Sequence, residues 1–272
     1  MQDSVDPVHM VHRYRTNADR EVVGFCAAAL AFGRVESILS TLELLLEVVG
    51  PAPFEFIKSF EPNRHRQDLY LLKHRWIRGI DIVALLWIIR RMVERSGSIE
   101  RFFAEGYVDE ASDIGNALES FSQRALQIDL SMVYGEETPT TGVRYFFPKP
   151  SSGSGCKRLN LFLRWMVRKD EIDLGVWSLI SKSKLIIPLD THIVRVGQCL
   201  NLTKYRSPSW RMAVDLTASL RVLAPNDPVK YDFSLFRLGM TNACGFRQAH
   251  QDTNCPLRGL CQPSGCKQQA AN

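Results

Sequence analysis

Apolar residues recur along this chain at helical spacing, and no segment alternates convincingly over six residues. A sheet needs that alternation, whereas packed helices need only the three-and-four repeat. The expected fold class is therefore all-α. Ile38, Leu42, Leu45 and Leu46 mark a helix from Val35 to Val49 that stops at Gly50-Pro51. Asn17 or Asp19 opens an earlier helix that reaches about Phe32 and ends at Gly33. Other helices are expected over Phe54 to Phe60, Ile80 to Arg95, and Glu110 or Ser112 to Ile128. Beyond these come Lys157 to Arg168, Leu174 to Ser181, Asp190 to Leu200, Ser209 to Leu223 and Pro228 to Met240. Thr138-Pro139-Thr140-Thr141-Gly142 breaks the pattern and reads as a loop between two lobes of one domain, with the change near 138–150. Arg144 to Phe147 and Leu185 to Ile187 are β-like but too short to define a sheet.

The longest uncharged apolar run, Ile82 to Ile89, is eight residues, while a membrane span needs roughly 20. No membrane partner is expected. The start of the chain, MQDSVDPVHM, lacks a basic stretch followed by an apolar one, so a cytoplasmic protein is expected. In that compartment the seven cysteines read as thiols or metal ligands rather than a disulfide framework. The net charge is only +5, but it is unevenly spread. Arg144 to Arg206 holds twelve Lys and Arg against four Asp and Glu, so the remaining residues sum to −3. A local basic segment suits an anionic partner such as nucleic acid; its plain alternative is a solvated helical surface.

Two short segments carry candidate chemistry. In P-S-S-G-S-G-C-K-R-L-N-L, Gly153-Ser154-Gly155 stands directly before an amphipathic helix. Glycines let the backbone turn sharply and approach a ligand, and a helix start presents free N–H groups, so together they can hold a phosphate. Many such turns merely connect helices. Lys157 falls in the first turn, where its ammonium meets the positive helix end and the charge of Arg158. It is either an exposed surface lysine or an amine nucleophile able to form a Schiff base. In I-I-P-L-D-T-H-I-V-R-V, Asp190 precedes a helix and is first of all a candidate N-cap. A fixed carboxylate at a cleft can also stabilise developing positive charge. His192 has no partners at metal-ligand spacing and reads as structural.

The order G-x-G-x-K followed by D-T-H-I-x-R-V resembles the helix-hairpin-helix DNA glycosylase superfamily, the endonuclease-III-like group. The likeness spans about Pro148 to Cys261 and includes the L-A-P-N-D-P-V-K-Y-D-F-S-L-F-R-L-G-M-T-N-A-C stretch. The nearest branch looks like a bacterial group of unknown function akin to the archaeal 8-oxoguanine glycosylases. The resemblance implies a two-lobed helical fold with a cleft between the lobes. It also implies a monomer, nucleoid-associated within the cytoplasm, acting on double-stranded DNA that carries a damaged base, possible oxidised purines included. Gly153, Ser154, Gly155 and Arg158 would then contact DNA. Lys157 would be the nucleophile and Asp190 the essential carboxylate of a glycosylase with lyase activity. Tyr145, Phe146, Trp165 and Trp177 are aromatic candidates for stacking on the flipped base.

The spacing departs from the endonuclease-III-like members. Lys157 and Asp190 are 33 residues apart, and the hairpin lacks an apolar residue between its glycines. The cysteines depart too. Cys244, Cys255, Cys261 and Cys266 fall within 23 residues, and C-P-L-R-G-L-C resembles the end of the family's iron–sulfur loop. Asp252 stands where the second ligand is expected. A [4Fe–4S] cluster, zinc or loss of the site all remain open on that pattern. Two other classes fit parts of the sequence: a non-catalytic DNA-binding hairpin protein, and a helical metal-binding interaction protein.

Overall fold

The computed structural model describes residues 6–135, 139–240 and 257. Among these it is mostly helical, with fourteen α-helices and one small two-stranded hairpin. The first half runs α1 (Val8–His12), α2 (Asn17–Ala29), α3 (Val35–Val49), α4 (Pro53–Ser59), α5 (Pro62–Leu69), β1 (Lys73–His74), β2 (Ile77–Arg78), α6 (Gly79–Ser96), α7 (Ile99–Ala104) and α8 (Gly115–Leu126). The second half runs α9 (Ser131–Tyr134), α10 (Thr141–Phe146), α11 (Lys157–Val167), α12 (Thr191–Cys199), α13 (Trp210–Leu223) and α14 (Asp232–Met240). No single helix among the described residues is long and apolar enough to cross a membrane.

Local chemistry sets the helix ends. Thr16 caps α2 by accepting from the Asp19 N–H, so the cap lies one residue before the expected Asn17. Gly97 ends α6 with a φ of +84°, a left-handed turn that glycine makes without Cβ strain. Gly79 at the start of α6 is required by close approach. A Cβ there would sit 2.2 Å from the Leu69 carbonyl oxygen.

Several expected elements are different: α2 ends at Ala29 rather than near Phe32, and α8 opens at Gly115 rather than at Glu110 or Ser112. Leu174 to Ser181 is not a helix. Its Leu174 and Gly175 N–H groups bond the Trp165 carbonyl, and the Trp177 N–H bonds that of Met166. The segment thus satisfies carbonyls that the end of α11 leaves open. The β-like Arg144 to Phe147 lies mostly within the helix α10. That helix is docked on the start of α6. Thr140 Oγ1 donates to the buried Asp81 carboxylate, and Gly142 packs on the same group.

One apolar core takes in residues from Val8 to Val229, on both sides of 138–150. Helix α2 lies at its centre, packed on α1, α4 and α11. Glu21 of α2 is buried there. Its carboxylate accepts N–H groups from Ile99 (2.9 Å), Glu100 (2.6 Å) and the Trp177 indole (2.8 Å). Burial outweighs these donors and pushes its pKa from 4.5 to about 7. The folded chain therefore binds this proton more tightly than the unfolded chain. The associated stability is fully present below pH 4.5 and is lost as pH rises through about 7. Glu21→Gln is expected to remove a pH dependence of order 2–3 kcal/mol across that window, read by urea denaturation as a function of pH.

Candidate nucleic-acid interface and catalytic pair

The loop between α10 and α11 is held by hydrogen bonds. A 3-10 turn, Pro150–Ser152, is held by Glu119, whose carboxylate accepts the Ser151 N–H (2.9 Å) and hydroxyl (2.7 Å). Gly153 then turns with φ +78°. Cys156, the N-cap residue of α11, takes φ +47° and ψ +33°, a left-handed conformation that a residue with a Cβ rarely adopts. The buried Asn160 fixes the loop from behind by donating from Nδ2 to the Gly155 carbonyl (3.1 Å). The N–H groups of Ser154, Gly155, Lys157, Arg158 and Leu159 take no part in hydrogen bonds among the described residues. Those of Lys157, Arg158 and Leu159 are the free donors expected at a helix start.

Lys157 is the first residue of α11 and half-buried. Burial pushes the thiol of the neighbouring Cys156 up to about 12 and keeps it protonated near neutral pH. Asp190 is the N-cap of α12, accepting the Ile193 N–H at 2.7 Å. Chain packing brings the two helix starts together. A Cβ at Gly155 would lie 3.5 Å from Leu189 Cδ1, so the loop that opens α11 rests on the residue just before Asp190. Helix α12 is held in turn by α14, where Gly239 lies directly against His192. The His192 ring meets Phe236 edge-on at 5.4 Å, a packing role.

A buried ionic network fixes α11 two turns below Lys157. Arg164 donates to Asp232 at the start of α14 and, from Nε, to Asp173 at 3.0 Å. Arg168 binds Asp173 as well, and Asp227 at 2.8 Å. Burial alone would lower the pKa of Arg164, but Asp232 and Asp173 hold it above its usual value. Helix α14, which opens at Asp232, packs on α12, so the Asp190 helix adjoins this network.

Arg158 does not face outward with the hairpin. It is 7% exposed and donates to the backbone carbonyls of Ala29 (3.0 Å) and Tyr145. Its guanidinium lies 3.5 Å from the centre of the Tyr145 ring, and burial pushes its pKa down to about 10. Arg158 therefore ties α11 to α2 and α10. Of the aromatic candidates, Phe146, Trp165 and Trp177 are core side chains, while Tyr145 is partly exposed.

The structure adds residues that sequence spacing did not single out. Beside the hairpin lies a groove of about 710 Å³ bordered by Ser151, Gly153, Tyr205, Arg206, Trp210 and Arg211. The Trp210 N–H donates to the Gly153 carbonyl at 3.3 Å and joins the two segments. Two exposed arginines thus stand next to the free N–H groups. Among the described residues, no three or more His, Cys, Asp or Glu side chains gather as a metal site. Cys244, Cys255, Cys261 and Cys266 lie outside the described residues.

Compared with known families, residues 6–241 match DUF2400, a protein of unknown function. The chain belongs to the DUF2400 family. No curated protein and no solved structure matches it. The DUF2400 match takes in both the 153–157 loop and the Asp190 cap.

Proposed function

We propose that this DUF2400 chain is a DNA base-excision glycosylase with an associated lyase step, using Lys157 as nucleophile and Asp190 as its carboxylate partner. The observation that carries the reading is the joining of two helix starts. A loop with free N–H groups opens α11 at Lys157 and rests on Leu189, next to the Asp190 cap. The loop N–H groups suit a DNA phosphate, which fixes register without reading sequence. A damaged nucleotide, cheaper to unstack than a paired one, would then turn toward Lys157.

In the reaction, the unprotonated Lys157 amine adds to C1′ of the sugar. The glycosidic C–N bond breaks, and its electron pair leaves with the base, which takes up a proton. The carboxylate of Asp190 stabilises the positive charge that develops on the sugar and assists the proton transfers. Loss of the amine proton and opening of the sugar ring give an imine between Nζ and C1′. Removal of a C2′ proton then expels the 3′ phosphate, which cleaves the strand. The bound imine is reducible, which provides the test.

Borohydride trapping on duplexes carrying oxidised, deaminated or alkylated bases is expected to give a covalent protein–DNA adduct with at least one lesion. Salt-sensitive binding with neither adduct nor base release would make the chain a DNA-binding module instead. Absence of any DNA binding would end both readings. The groove arginines give a second check. Replacing Arg206 and Arg211 together by alanine is expected to reduce the slope of log K against log salt by about two, without changing which lesion is preferred.

A further inference from the structure

A second surface lies at the opposite end of the Arg158 aromatic contact. Residues 64–78 hold five Lys and Arg against one Asp, a balance of +4 in a chain whose total is +5. The same stretch contains the most exposed large apolar side chains around it: Leu71 at 88%, Tyr70 at 73% and Trp76 at 50%. Tyr70 and Leu71 share a groove of about 470 Å³ with Arg66, Lys73 and Arg78. One exposed ring and three cations therefore share a groove, and Trp76 stands at the turn of the β1–β2 hairpin that carries Lys73 and Arg78.

This patch is rigidly mounted. His74 is fully buried, with one ring nitrogen 3.2 Å from Thr41 Oγ1 and the other 2.7 Å from the Phe32 carbonyl oxygen. It anchors a two-residue turn in which Arg75 takes φ +55°, a left-handed conformation with a Cβ. Trp76 follows, half out of the surface, with its ring 4.9 Å from Phe32 and 5.1 Å from Tyr145. Arg75 stands 5.2 Å from the Trp76 ring. A strained turn held by a doubly bonded buried histidine presents a half-exposed indole, packed on Phe32 and Tyr145 and met by Arg75.

We infer that the 70–78 patch binds unpaired nucleotides of a nucleic-acid strand, stacking bases on Tyr70 and Trp76 with phosphates on the surrounding Lys and Arg. Base faces are hidden inside a duplex and open only where bases are unpaired, so exposed rings among cations select the unpaired form. A membrane surface would call for a broad apolar helix face, whereas here the apolar groups are a few side chains interleaved with charge. The choice of nucleic acid rests partly on the proposed function, because Tyr145 links this patch to α11, but stacking here does not need Lys157.

The test is anisotropy of a fluorescein-labelled oligothymidylate with the full chain. Trp76→Ala and the double variant Tyr70→Ser/Leu71→Ser are each expected to weaken it about tenfold or more, and blunt undamaged duplex by less than about twofold. The double variant alters only well-exposed side chains, so its loss cannot be ascribed to misfolding. Lys157→Gln is expected to bind oligothymidylate like the unaltered chain. Failure of borohydride trapping thus leaves this inference standing, and loss of stacking leaves the trapping intact. The inference is overturned if the unaltered chain does not bind oligothymidylate, or if both patch variants bind it undiminished. It is equally overturned if the patch variants lose binding only to phosphatidylserine–phosphatidylcholine vesicles.

Discussion

Asp190→Asn is expected to fold as well as the unaltered chain and yet release base about 10²- to 10⁴-fold more slowly in single-turnover assays. The cap and the proposed catalytic role of this side chain can be separated by substitution. Asp190 accepts the Ile193 N–H at 2.7 Å, and an asparagine oxygen can accept the same bond. The substitution therefore removes the charge and keeps the cap. Asp190→Ala removes both, with a stability loss of about 1 kcal/mol in addition to the loss of rate. Lys157→Gln is expected to abolish the trapped adduct while DNA binding persists, since the free N–H groups of the hairpin remain. Full-rate base release by Asp190→Asn would reduce Asp190 to a cap and remove the carboxylate from the mechanism.

Arg164→Met is expected to destabilise the chain by about 3–5 kcal/mol, measured by urea denaturation. Arg164 is buried and binds Asp173 and Asp232, which are buried too. Its removal leaves Asp232 without that cation in a place water does not reach, and weakens the pairing of Asp173, which keeps Arg168. Replacing Asp232 by asparagine in the Arg164→Met background is expected to restore part of the loss, because a neutral amide costs less to bury than an unpaired carboxylate. The network joins the middle of α11 to the start of α14, and α14 in turn packs on the Asp190 helix. Reduced trapping should therefore accompany the instability. A loss below about 1 kcal/mol would show that packing alone holds these helices.

Much of the helical order was legible from local signals. The Val35–Val49 helix, the helix over Ile80 to Arg95, the start of α11 at Lys157 and the Asp190 cap all follow from apolar spacing and end residues. Leu174 to Ser181 was misread as helix because its spacing serves another purpose. Trp177 enters the core, while the backbone beside it bonds the end of α11. The short β1–β2 hairpin escaped detection since two-residue strands carry no alternation. Its clue was the run of cations and rings from Arg64 to Arg78.

Residue order alone carries the all-α class, the extents of the Val35–Val49 and Ile80–Arg95 helices and the two segments that open at Lys157 and Asp190. Each depends on residues within a turn or two of one another, so spacing and caps suffice. Tertiary structure alone decided that Gly155 meets Leu189, that Tyr205 to Arg211 borders the hairpin, and which cations reach solvent. Arg158, Arg164 and Arg168 read like their neighbours in the basic segment, yet all three are buried. Whether a guanidinium stays in water depends on the carbonyls and carboxylates that distant segments bring to it, and a one-dimensional charge count contains none of those partners.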